Sequence, residues 1–103
     1  MIYILATNDV IPGKMAEFEA WNKDMEPQRK KVGMNMLGTW RGYSGNTNRV
    51  YVLYAYKDLA EFQKVRETRE KDPDFMKVAA KQRPLLTGQS WVFIEPLSWS
   101  PMK

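Results

Sequence analysis

The chain contains neither cysteine nor histidine. Without cysteine there is no disulfide, no thiolate metal site, no iron–sulfur cluster and no cysteine nucleophile. That absence fits a cytoplasmic protein. Without histidine, the usual general base near neutral pH and the commonest metal ligand are both missing. A serine–histidine–carboxylate triad cannot be assembled, and no imidazole can hold zinc or haem iron. Neither a metal nor a cofactor is expected. Long apolar runs are also lacking: none approaches the roughly 18 residues of a membrane span. Met1 leads directly into a strand-like segment rather than into the charged region and apolar core of a secretory leader.

What is present describes one modest globular domain. The 103 residues suit a single domain spanning residues 1–103. Hydrophobic residues make up 44 % and charged residues 27 %, a balance that argues against disorder. Lysine and arginine outnumber aspartate and glutamate by 16 to 12, for a net charge of +4. The basic residues are spread along the chain, and the one run, Arg29-Lys30-Lys31, is too short for a nucleic-acid footprint.

Local patterns order the chain. Ile2 to Asn8 is rich in β-branched and aromatic residues and predicts a strand, with Ile2, Ile4, Ala6 and Asn8 on one face. Pro12-Gly13 marks a turn. Met15, Phe18, Trp21, Met25 and Val32 then recur at helical spacing, predicting an amphipathic helix from about Lys14 to Lys31. Pro27 lies inside it, and an interior proline costs about 3 kcal/mol, so a bend or restart near Glu26 is expected. Gly33 stands where a left-handed C-terminal cap is wanted. Met34 to Tyr43 predicts a second strand, with its glycines favouring a bulge. Arg49 to Tyr56 predicts a third strand, joined to the second by a short loop as an antiparallel hairpin.

Asp58 with Glu61 three residues on approximates a capping box and opens a second helix through Leu59, Phe62 and Val65. Asp72-Pro73 interrupts that helix, and a shorter one carrying Phe75, Val78 and Ala79 ends before Pro84. Gln89 to Glu95 predicts the last strand, and the tail from Pro96 to Pro101 is expected as an extended arm. The resulting β-α-β-β-α-β order is the ferredoxin-like α+β arrangement: an antiparallel four-stranded sheet with its helices on one face. The strands carry apolar residues on both faces, so the helix-free face would leave a large apolar patch in a monomer. A symmetric homodimer with sheets packed face to face is the expected solution.

Several segments together resemble NIPSNAP-type proteins. They are Ile11-Pro12-Gly13-Lys14 followed by Glu17-Phe18 and Trp21, then Leu37-Gly38-Thr39-Trp40, then Asn48-Arg49-Val50 with Leu53-Tyr54-Ala55-Tyr56. Asp72-Pro73 and the closing Pro96-Leu97-Ser98-Trp99-Ser100-Pro101 complete the resemblance, which spans nearly the whole chain. One departure stands out. The family's third strand often carries a histidine before Leu-Trp, whereas Val52 and Tyr54 flank that position here. The resemblance implies membership of the dimeric α+β barrel superfamily. That group includes small cofactor-free or haem-degrading monooxygenases, muconolactone-isomerase-like enzymes and dehydratases.

Chemistry is then sought in the cleft between sheet and helices. The resemblance implies a role for Asn8, near the end of the first strand, in hydrogen-bonding a substrate oxygen; a turn at Asn8-Asp9 explains it equally well. Trp40 could stack on a flat substrate or serve as a core aromatic. Tyr54 and Tyr56 could donate to an enolate or phenolate, or simply pack. Arg66, Arg69 and Arg83 could supply a fixed positive charge for a carboxylate, or lie on solvated faces. Asp58, Glu61, Asp72 and Asp74 are accounted for by caps and turns. Met25, Met34, Met36 and Met76 suit deformable core filling or a pocket for a flexible apolar ligand. The expected function is binding of a small apolar or aromatic ligand. The alternative is a metal-free monooxygenase or isomerase with a pocket lined by Trp40, Tyr54 and Arg66. Haem degradation ranks third.

Overall fold

The computed structural model describes residues 1–102. The elements are β1 (Ile2–Val10), α1 (Met15–Val32), β2 (Met36–Arg41), β3 (Arg49–Tyr56), α2 (Leu59–Glu70), α3 (Pro73–Ala79), a 3-10 turn (Arg83–Leu85) and β4 (Leu86–Ile94). All strand pairs are antiparallel, in the order β2-β3-β1-β4. This is the ferredoxin-like α+β fold that the element order implies.

The period-two pattern of the strands decides which side is buried. Ile4, Ala6, Asn8 and Val10 of β1 stand opposite Tyr54, Val52 and Val50 of β3 and share the helix-covered face. Against them pack Phe18, Trp21, Met25 and Val32 of α1, Phe62 and Val65 of α2, and Phe75 of α3. Each such large apolar side chain contributes about 1.5–3 kcal/mol when fully buried. Trp21 also donates its indole N–H to the Val78 carbonyl at 2.8 Å, which ties α1 to α3.

Boundary features follow local chemistry. Gly33 caps α1 at φ 88°, a left-handed conformation that glycine adopts without strain. Asp58 accepts from the Glu61 N–H at 2.8 Å, and the Glu61 carboxylate accepts from the Lys57 N–H at 3.0 Å, a variant of the capping box. Asp72 caps α3 through the Phe75 N–H at 3.0 Å, with Pro73 in the first turn, where its missing N–H is harmless. The expected irregularity in β2 falls between Met36 and Gly38.

Four expectations are corrected. First, α1 runs unbroken through Pro27. Pro27 and Lys23, whose carbonyl it leaves unbonded, are both exposed, so water serves that carbonyl while Met25, Arg29 and Val32 stay packed. Second, β1 continues past Asn8 to Val10, so Asn8-Asp9 is ladder rather than turn. Third, β4 starts at Leu86, because Gly88 and Leu86 pair with Asp9 and Val10 of the lengthened β1. Fourth, the tail is not extended: the Ser100 N–H closes a turn on the Leu97 carbonyl at 2.9 Å.

The opposite sheet face carries no helix. Its register groups Leu5 with Leu53 and Val92, and Tyr51 with Trp40. Trp40, Val92 and Ile94 are 54 %, 52 % and 41 % exposed. One ion pair crosses this face, Arg49 Nε to Asp9 Oδ1 at 2.7 Å. Hydrogen bonding and the charge of Asp9 raise the Arg49 pKa.

Candidate functional site

Spacing along α1 positions the site. Trp21, Met25 and Arg29 are four residues apart and lie on one face, so the helix delivers an indole, a thioether and a guanidinium to the sheet in succession. Beneath them lie Ala6 and Asn8 of β1 and Val52 and Tyr54 of β3. Gln89 and Trp91 of β4, Arg69 of α2 and Phe75 of α3 close the sides. Together they line an open-sided cavity of about 270 Å³. A larger groove of about 580 Å³ lies between α1 and β2, over Met15, Phe18, Met36 and Val50. Arg29 and Met34 line both spaces and form the wall between them.

Arg29 is only 7 % exposed. Its Nη2 donates to Asn22 Oδ1 at 2.7 Å, and Asn22 is itself held by donation to the Phe18 carbonyl at 2.9 Å. The guanidinium lies 5.4 Å from the centre of the Trp21 ring, within cation–π range. Among the described residues no carboxylate comes within ion-pair distance of it. Arg69 makes the matching contact on the other side, 5.3 Å from the centre of the Trp91 ring.

The uncharged polar groups complete the lining. Asn8 is buried, and its Oδ1 accepts from Gln89 Nε2 at 2.7 Å. Burial pushes the Tyr54 phenol up, opposed by the charge and hydrogen bonding of Arg29 and, more weakly, by Arg69. Tyr56, in the core outside this lining, is pushed up to about 12, chiefly by burial. Both are therefore neutral donors at ordinary pH. The arrangement can enclose a flat apolar body between indoles and offer neutral and cationic donors to its oxygens.

Of the residues singled out from the sequence, Asn8, Tyr54, Arg69, Met25, Met34 and Met76 line the inner cavity. Trp40, Arg66 and Arg83 do not join them. Register places Trp40 on the helix-free face, opposite Tyr51, with its ring over Gly38, where a Cβ would come within 2.7 Å of it. Only the edge of the outer groove reaches Trp40. Arg66 lies on the exposed face of α2 and pairs with Glu70 at 3.1 Å. Arg83 is exposed in the 3-10 turn, beside a separate hollow between α3 and β4. A pocket joining Trp40, Tyr54 and Arg66 is thus absent: the first is on the wrong sheet face and the last on the wrong helix face.

Sequence reading passed over Arg29, Trp21, Gln89 and Trp91 as site residues. Arg29 looked like the start of a basic run. The available signal was its phase, since it falls four residues after Met25 and three before Val32, inside the apolar stripe.

Among the described residues, no group of three or more carboxylates is placed to hold a metal ion, and no helix is long and apolar enough to cross a membrane.

A family model described as NIPSNAP matches residues 3–101. No curated protein matches the chain. Among solved structures, an uncharacterized NIPSNAP domain protein from Burkholderia xenovorans is 27 % identical with a TM-score of 0.89, the match covering 98 % of this chain and 99 % of that one. A NIPSNAP family protein with unknown function from Agrobacterium tumefaciens is 21 % identical with a TM-score of 0.88, covering 100 % and 94 %. A protein from Nitrosomonas europaea, named as a candidate antibiotic biosynthesis monooxygenase, shares the fold at a TM-score of 0.71 and 15 % identity, covering 94 % and 99 %.

Proposed function

The chain belongs to the NIPSNAP family, and from that premise we propose that it is a homodimeric protein binding a small apolar or aromatic ligand in the cleft between sheet and helices. The observation that carries this reading is the inner cavity of about 270 Å³. Trp21, Trp91, Phe75 and Met25 supply apolar walls, and Asn8, Tyr54 and Arg29 direct polar groups to one region. Small-molecule sites combine these two ingredients. The homodimer reading rests on the exposed apolar residues of the helix-free sheet face, Val92 and Ile94 among them.

The test uses the two indoles of the cavity as reporters. A panel of flat aromatic compounds is titrated against the protein while tryptophan fluorescence is followed. Saturable change is expected in the wild type. It is expected to be lost in Ala79→Phe, which fills the cavity from α3. A panel that produces no saturable change rejects the reading.

One observation favours a second reading, that of a metal-free oxygenase or isomerase. Tyr54 is a buried neutral phenol next to a buried cation. Such a pair suits an enolate or phenolate generated from the bound ligand. The name of the Nitrosomonas europaea protein points the same way. Oxygen uptake, or an isomerised product, on adding the compounds found to bind is the outcome expected of an enzyme. Unaltered ligand recovered after long incubation favours the binding protein.

A further inference from the structure

Resting on the cleft reading above, we infer that the ligand is an organic anion: a flat aromatic body bearing a carboxylate whose oxygens are received by Arg29. A guanidinium stays protonated at any ordinary pH, and burial strips its water. Buried charges are normally paired with an opposite charge. Arg29 has only neutral company: Asn22 Oδ1 at 2.7 Å, the Trp21 ring at 5.4 Å and the adjoining Tyr54. A guanidinium carries five donors; Asn22 accepts from Nη2, and Tyr54 is also hydrogen-bonded to Arg29. The fork that suits a carboxylate is therefore left with donors to spare.

The cation is also held in place in advance. Asn22 is fixed by the Phe18 carbonyl at 2.9 Å, and the Trp21 ring by the Val78 carbonyl at 2.8 Å. Preorganised donors of this kind favour a charged ligand, because little ordering remains to be done on binding.

The charges lining the inner cavity agree. They are Arg29, Arg69 and Glu70, and Glu70 Oε1 is engaged by Arg66 Nε at 3.1 Å. Two cations thus face one carboxylate that is already paired, in a space whose low polarity strengthens any remaining field. An uncharged aromatic would leave that field unused, and an organic cation would oppose it. Asn8 and Tyr54, at the floor, are placed for a second oxygen on the same body.

The experiment compares 2-naphthoate with 2-naphthamide, two probes of one shape that differ in charge. Binding to the full chain is followed by tryptophan fluorescence and calorimetry. The acid is expected to bind about tenfold or more tighter than the amide, the margin expected of a charge-assisted pair. In Arg29→Met the preference should collapse, mainly through loss of acid affinity. In Arg29→Lys, which keeps the charge but not the fork, the preference should survive in weakened form. Equal binding of acid and amide by the wild type overturns the anion inference and leaves the cleft reading standing. Binding of neither overturns both. A preference for the acid that persists in Arg29→Met also overturns the inference, since the charge is then read elsewhere. If Arg29→Met does not fold, Arg29→Lys tests the residue: an acid preference left at full strength there overturns the assignment to Arg29, and a weakened one supports it.

Discussion

Single side chains of this protein are set by what surrounds them, and the tyrosines of β3 show it most directly. Tyr56 titrates near 10.0 when free and is pushed up to about 12 in the fold, chiefly by burial. The fold therefore favours the neutral phenol. The stabilisation this brings is complete below pH 10 and is lost as pH rises from there towards 12. In urea titrations across that window, Tyr56→Phe should show a shallower alkaline decline than the wild type. Identical alkaline limbs would mean that Tyr56 ionises as freely in the fold as in the unfolded chain. The same scale shows where sequence reading reached its limit. Asn8 was singled out through the family resemblance and Tyr54 for its phenol, and strand periodicity agrees with both facing the helices. Arg66 and Arg29 were not distinguished, because both are arginines on amphipathic helices and only tertiary packing settles which faces the sheet. Trp40 was assigned to the cleft because the bulge after Met36 shifts the register of β2, and bulges leave little trace in sequence.

At the level of elements, caps and turns were the most readable features and proline the least. Asp58 was identified as an N-cap, and Asp58→Ala should lower stability by about 1 kcal/mol in chemical denaturation. A bend or restart was expected near Glu26, and α1 does not restart there; Pro27 and Lys23, whose carbonyl it leaves unbonded, are both exposed. Pro27→Ala restores that hydrogen bond. The gain should be about 2 kcal/mol, an interior proline's penalty less its benefit in the unfolded chain. Calorimetry would detect it as a raised Tm, and an unchanged Tm would mean the helix already accommodates the ring. The cap of α3 also joins elements. The Phe75 N–H first, and Lys31 second, hold the Asp72 carboxyl below the usual carboxylate range. Because the folded pKa is lowered, the stabilisation is present above the ordinary carboxylate pKa and is lost as pH falls through the lowered folded value. Asp72→Asn keeps an N-cap but loses the attraction to Lys31, so its urea midpoint should fall less than that of the wild type on acidification.

The molecule as a whole presents two sheet faces of different fate. One is covered by helices; the other leaves Trp40, Val92 and Ile94 in contact with solvent. A homodimer formed through that face should behave in light scattering as twice the 12.1 kDa of one chain. Val92→Glu should return it to a single chain's mass with its circular dichroism unchanged. A wild type that scatters as one chain at all concentrations would remove the dimer from the proposed function. The β-α-β-β-α-β order was readable because turn signals separate segments of differing period.

The place of β1 in the sheet has a consequence for the order in which the protein is made. β1 precedes β3 and β4 in the chain yet is central, bonded on one side to β3 and on the other to β4. Ile4 of β1 takes as its neighbour Phe93 of β4, the last strand of the fold. Until β4 has been made, a nascent chain holding β1 against β3 exposes one bare strand edge. That edge is open to any other unfinished copy nearby, so the arrival of β4 decides whether the newborn fold closes upon itself or stays prone to aggregate.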